Sequence, residues 1–197
     1  MAERRIRIQT IVNFQDGEVT AIEGTATIGE QRLEFVLNDQ TREAAFDIDQ
    51  PEGVVVPVKF SYRVHLRQHF PSAQRSSFES PVMTSEASIF LINPRELYKL
   101  VPVSALAVFD FERYRHALVD VKAEATGGWS HTQTMRLGKE VPEREVRFLV
   151  DATAEVTLQR RYRYVTPAGD VVEQAWEPAG EGMMAVGNPP AAGPGIG

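Results

Sequence analysis

Cysteine is absent from the 197 residues, which rules out disulfides, thiolate nucleophiles and Cys-based zinc or iron–sulfur centres. Long apolar runs are missing too: none nears the ~18 residues that a membrane span requires. The opening stretch, MAERRIRIQ, places charge before alternation and has no apolar centre of the signal-peptide kind. No membrane insertion is therefore expected, and the chain reads as made in the cytoplasm or as a component of a particle or assembly, with the compartment otherwise unspecified. Basic residues are outnumbered, 21 Lys+Arg against 27 Asp+Glu for a net charge of −6, which argues against nucleic acid as the partner. What is present suits a globular chain. Hydrophobic residues make up 43% and charged residues 24%, and the length allows one large or two small domains.

Alternation with period two is the dominant pattern. From Val54 to Leu66 the even positions are Val54, Val56, Val58, Phe60, Tyr62, Val64 and Leu66, while Lys59, Ser61, Arg63 and His65 are polar. A helix would scatter these apolar residues around its circumference, whereas a strand collects them on one face. The pattern returns from Val156 to Tyr164 and, more briefly, in Ile6/Ile8, Leu33/Phe35/Leu37, Val119/Val121/Ala123 and Val146/Phe148/Val150. Half-buried strands of this kind belong to antiparallel sheets with one wet face. Helix signals are confined to Asn93–Leu100, which reads either as one turn after Pro94 or as an extended linker.

The chain also resembles itself at a spacing of about 95 to 102 residues. Val12-Asn13-Phe14 parallels Phe109-Asp110-Phe111, and Ile22-Glu23 parallels Val119-Asp120. Phe35 and Leu37 match Met135 and Leu137, Phe46 and Ile48 match Phe148 and Val150, and Tyr62-Arg63 matches Tyr162-Arg163. Phe78-Glu79 matches Trp176-Glu177, and Asn93-Pro94 matches Asn188-Pro189. Gly127-Gly128 falls where the second copy is longer, as a loop insertion would. Each copy then holds about seven strands, which can bury one apolar face only by folding into two facing sheets. The expected class is all-β: two tandem antiparallel β-sandwiches related by duplication, residues 1–94 and 95–190, followed by a Pro/Gly/Ala tail at 191–197.

Tyr62-Arg63-Val64 and Tyr162-Arg163-Tyr164, each followed by a Pro-bearing turn (Pro71; Pro167-Ala168-Gly169-Asp170), give this arrangement a likeness to known modules. It resembles tandem immunoglobulin-like or fibronectin type III-like β-sandwich modules, at the level of fold class. That resemblance implies adhesive, spacer or scaffold roles.

Signatures of chemistry are sparse. His65 and His69 would converge on a helix but not on a strand entering a turn, and no HExxH accompanies them. Asp47, Asp49 and Glu52 cluster near a strand end, yet calcium wants six to eight oxygens. No GxSxG elbow and no glycine-rich phosphate loop is present. The expectation is no enzyme, no catalytic residues, no metal and no cofactor. Two groups of residues merit attention as binding candidates. Arginine supplies 17 of the 21 basic residues, and Arg63, His65 and Arg67 with Arg161 and Arg163 form a candidate partner-binding row able to grip carboxylates. Their alternative is cross-strand pairing with Glu34, Glu79 or Glu173. Trp129, beside the glycine pair, is a candidate ligand platform, whereas Phe78 and Trp176, as aligned copies, read as core.

The leading functional reading is a non-catalytic structural or adaptor protein. It would act through a protein partner or homo-oligomer in a larger assembly, of the kind found in a phage, tail-like or secretion apparatus. A carbohydrate- or other ligand-binding module is the alternative, and an enzyme with its site in a loop cleft is a third.

Overall fold

The computed structural model describes residues 2–15, 17–67 and 72–190; His69, Pro71 and the tail at 191–197 lie outside them. Sixteen strands and one 3₁₀ turn make up the described chain, so the class is all-β. The chain divides into two compact domains with the boundary between Lys99 and Leu100.

The first domain contains β1 (Ala2–Thr10), β2 (Val19–Ile28), β3 (Gln31–Leu37), β4 (Glu43–Gln50), β5 (Val58–Leu66), β6 (Ser77–Glu79), β7 (Met83–Ser85) and β8 (Ile89–Ile92). A 3₁₀ turn at Pro94–Glu96 follows, begun by Asn93, whose side chain accepts a hydrogen bond from the Arg95 N–H. The second domain repeats the series as β9 (Tyr98–Ala107), β10 (His116–Ala125), β11 (Trp129–Gly138), β12 (Glu143–Asp151), β13 (Val156–Val165), β14 (Val171–Glu173), β15 (Glu177–Ala179) and β16 (Gly182–Val186).

Each domain has one three-stranded and one five-stranded sheet. The orders are β4-β1-β8 and β3-β2-β5-β6 with β7 also on β5, and then β12-β9-β16 and β11-β10-β13-β14 with β15 also on β13. Every strand of the first domain thus has its counterpart, and the duplication inferred from side chains is a duplication of topology. Each copy has eight strands, one more than expected, because the last long edge breaks into two short pieces, β6/β7 and β14/β15. One pairing departs from the antiparallel rule in both copies: β1 runs parallel to β8, and β9 parallel to β16.

Register corrects two of the sequence equivalences. Ile22 sits opposite Leu37 and Val64, while Ala117 sits opposite Leu137 and Tyr164, so Ala117 and not Val119 is the counterpart of Ile22. Phe78 lies opposite Val64 and Val172 opposite Tyr164, so Val172 is the counterpart of Phe78. Trp176 instead occupies the bend between β14 and β15, where the first domain has Val82. It is 38% exposed, whereas Phe78 is buried. The shared core role expected for Phe78 and Trp176 does not hold, because a three-residue edge strand is too short for its alternation to fix an alignment.

The inward faces form the cores. Tyr62 and Tyr162 are both buried, as are Leu37 and Leu137. Phe148 is fully buried, but Phe46 is only half-buried on β4, so that aligned pair is not equivalent in packing. The β2–β3 loop is Gly29-Glu30, and the β10–β11 loop is one residue longer, with Gly127 and Gly128 both in the left-handed region at φ +92° and +83°. This conformation is open to glycine at little cost. Gly24 is required for a different reason: a Cβ there would lie 2.2 Å from Cζ of Phe35, whose ring crosses the glycine on the core side. The corresponding residue in the second domain, opposite Met135 and Tyr162, is Val119.

Candidate functional site

Four of the candidate residues, Arg63, His65, Arg161 and Arg163, lie on the five-stranded sheets among the acids of neighbouring strands. In the second domain the outward residues of β10, β11 and β13 converge on Asp120, which is 2% exposed. Register places Asp120 between Thr134 and Arg161. Arg161 donates to Oδ2 through Nε and Nη2 at 3.1 and 2.9 Å. Arg163 Nη2 and Thr134 Oγ1 each donate to Oδ1 at 2.7 Å. Arg161 reaches outward as well, donating to Glu173 at 2.7 Å, and its guanidinium carbon stands 4.9 Å from the centre of the Trp176 ring. Burial pulls the Asp120 carboxyl upward. The hydrogen bonds from Arg163, Thr134 and Arg161 outweigh that and hold it below the usual carboxylate value.

In the first domain Thr25 stands where Asp120 does, flanked by Glu34 and Ser61 in place of Thr134 and Arg161. Short side chains at the centre leave a hollow of about 540 Å³, ringed by Glu23, Glu34, Arg63 and Glu79. Its carboxylates have basic neighbours. Arg63 pairs with Glu79, Arg32 lies 3.5 Å from Glu34, and His65 Nε2 lies 3.0 Å from Glu23.

The expected partner-binding row is therefore engaged within its own domains. Arg63, His65, Arg161 and Arg163 all face acids across strands, two of which, Glu79 and Glu173, were named from sequence. Arg67 is not part of an outward row. It lies past the end of β5 and donates to the carbonyls of Phe14, Gln15 and Gly17 at 2.6, 3.0 and 3.2 Å, tying down the β1–β2 connection. Replacing these arginines together cannot leave the fold untouched. Trp129 packs half-buried against the second core, edge-on to Phe148 with centroids 6.4 Å apart and nearly parallel to His131. Asp47 lies 3.8 Å from Arg5, and among the described residues no group of three or more His, Asp or Glu side chains is placed to hold a metal.

Two residues escaped the sequence reading. Asp120 shows only as one of the outward charges in the alternating stretch Leu118–Ala125, and the signal that could have found it is the pair of outward arginines on β13, which calls for a shared acid. Arg4 shares the inward phase of Ile6 and Ile8 on β1, and its guanidinium is largely buried. It donates to the carbonyls of Val56, Glu86 and Ala87 at 2.7, 2.5 and 2.6 Å and to Ser88 Oγ at 3.0 Å.

No family model and no curated protein matches this chain. Distant likeness exists to three solved structures. The major pilin from Streptococcus pyogenes aligns with 94% of this chain and 96% of its own at 7% identity and a TM-score of 0.27. A streptococcal ancillary pilin aligns with 95% of this chain and 63% of its own at 11% identity and 0.24. A leucine-rich repeat protein from Bacteroides thetaiotaomicron aligns with 94% of this chain at 8% identity and 0.25, and this chain spans only 26% of it. Scores this low do not bear on function.

Proposed function

We propose that the chain is a non-catalytic structural or adaptor protein built from two immunoglobulin- or fibronectin type III-like modules, acting through protein–protein contacts. The observation that carries the reading is the end strand of each three-stranded sheet. β8 and β16 each pair on one side only, and their outward side chains are apolar and open: Ile89 is 56%, Leu91 61% and Met183 57% exposed. A strand edge with unpaired N–H and C=O groups is a template for another strand, and apolar outward residues reward its arrival. Natural edges are usually blunted with lysine or proline, and these two carry neither. The carbohydrate reading has less support, since Trp129 is half-buried against the second core and Arg161 stands over one face of the Trp176 ring. The test is the mass of the protein in native extract and after purification. Wild type is expected well above the 22.0 kDa of one chain, and Ile89→Lys/Leu91→Lys/Met183→Lys is expected to fall toward it. A wild type that stays a lone monomer at low salt overturns the reading.

A further inference from the structure

The second domain carries a basic cleft where the ends of β10, β11 and β12 meet, and its composition differs from that of the Asp120 network. Arg115 immediately precedes β10, Arg136 lies on β11, Lys139 in the β11–β12 turn and Arg144 on β12. Together with His116 and Val141 they line a cavity of about 490 Å³ whose one acid is Glu140. All four cations are exposed. Ten Lys and Arg residues belong to this domain, and six have a partner. Lys122, Arg147, Arg160, Arg161 and Arg163 face carboxylates, and Arg113 lies over the Tyr114 ring. The side chains of the four in the cleft make no ion pair, hydrogen bond or ring contact among the described residues. In a protein with a net charge of −6, these four cations share one cavity with a single acid, Glu140, so their mutual repulsion is only partly offset.

We infer that this cleft binds an acidic polypeptide segment, Asp- or Glu-rich, of a partner protein. Several features select that class over other anions. The Gly138 and Val141 N–H groups of the turn are not free for a phosphate, since each donates to the other's carbonyl at 3.0 and 3.2 Å. No phenylalanine, tyrosine or tryptophan lines the cavity, so it lacks the broad aromatic platform on which single-strand binders stack their bases. The cations come from three strand ends and a turn, and so are spread as successive carboxylates along a chain would be, while Val141 supplies an apolar contact. His116 adds a second observation: its Nδ1 is buried without a hydrogen-bond partner. Burial first, then Arg136 and Arg115, keep this ring below its ordinary pKa, so the cleft's charge at neutral pH comes from the four long side chains.

The inference rests on the proposed assembly role and names the chemistry of one partner. Its test is binding of a fluorescein-labelled poly-glutamate peptide to the full chain, with a uridine oligonucleotide of equal charge and pyrophosphate as competitors. Wild type is expected to bind the peptide, to lose affinity as salt rises, and to shift the His116 ring resonances on binding. Arg115→Ser/Arg136→Ser/Lys139→Ser/Arg144→Ser is expected to bind at least tenfold more weakly with its thermal midpoint intact, whereas Arg5→Ser/Arg32→Ser binds as wild type. Equal binding by the quadruple variant overturns the inference, as does an oligonucleotide or pyrophosphate that binds where the peptide does not. The two readings fail separately. A wild-type assembly that survives the quadruple substitution, with no peptide bound, removes the cleft and spares the assembly. A lone wild-type monomer whose cleft still takes the peptide removes the edge-strand reading alone.

Discussion

The outer faces of the two five-stranded sheets share strand order and register but differ in what fills their centres. Around Asp120 the second domain has a closed network of two arginines, a threonine and a glutamate. Around Thr25 the first domain has a hollow bordered by Glu23, Glu34 and Glu79. Some inward positions behave in the opposite way: Leu37 and Leu137, or Tyr62 and Tyr162, are alike in type and burial. Packing density constrains the inner face, because every buried side chain has neighbours on all sides. An outward residue answers mainly to water, so one copy can close a charge network where the other leaves space. The difference teaches that an outward arginine is not one kind of residue in this molecule. Arg163 stabilises a buried charge, while Arg63 joins an exposed pair.

Four changes would break or sharpen this contrast. The largest effect is expected from Phe148→Ala, which removes a fully buried ring from the second core and should cost about 3–5 kcal/mol. Phe46→Ala, half-buried on the first domain's matching strand, should cost well under half of that. Equal losses in denaturant titrations would show that the two cores pack alike. Next comes Arg163→Ala, expected to cost about 1–3 kcal/mol because Asp120 stays buried with one donor fewer. Arg63→Ala should stay within about 0.5 kcal/mol, since its pair with Glu79 is solvated. Urea midpoints of the two variants, measured side by side, decide the point, and similar values would dissolve the distinction.

Period two made the long strands legible, because a single alternating run such as Val58–Leu66 fixes which face is buried. The tandem repeat was legible for the same reason, since residues on paired long strands kept both type and phase. What stayed hidden depends on partners distant in the chain. The parallel return of β8 beside β1 joins residues about 80 positions apart, and nothing local to Ile89–Ile92 announces it. The burial of Asp120 is produced by Arg161 and Arg163, about 40 residues on. The basic cleft is assembled in the same way, from strand ends that only the β10–β11 register and the β11–β12 turn bring together. Short edge strands were the weakest point, and the misplaced equivalence of Phe78 with Trp176 came from there.

Gly24 offers a smaller test of the same contrast. The Cβ of Gly24→Ala would meet Cζ of Phe35 at 2.2 Å and the Ser61 carbonyl oxygen at 2.7 Å. The ring can rotate away but the backbone oxygen cannot, so a loss of about 1–2 kcal/mol is expected, within the range for overpacking. In the second domain the same register position already holds Val119, and Val119→Ala should cost a comparable amount by the opposite mechanism, a small cavity. A Gly24→Ala protein as stable as wild type, measured by thermal midpoint, would show that the first sheet yields where the structure has it rigid.

The smallest effect concerns acid, and the tryptophans make it measurable, since Trp129 and Trp176 are the only two in the chain and both belong to the second domain. The folded Asp120 carboxyl is held below its ordinary value by Arg163, Thr134 and Arg161 against the upward pull of burial. An unfolded aspartate titrates near about 3.9. In the window beneath that value the unfolded chain binds the proton more readily than the folded one, so stability rises with pH there. The stabilisation is complete above the unfolded pKa and is lost as pH falls through it toward the lower folded one. Urea unfolding followed by tryptophan fluorescence from pH 6 to pH 3 should therefore show the second domain weakening in the acid half of that range. Asp120→Asn should begin less stable at pH 6 and show a shallower fall, because the titrating group is gone. The first domain has its own acid-sensitive pair, Glu43, which the hydrogen bonds from Arg7 and Gln9 hold at about 2, but no tryptophan reports it. A fall as steep in Asp120→Asn as in wild type would assign the acid response to another carboxylate and leave the Asp120 network electrostatically neutral toward folding.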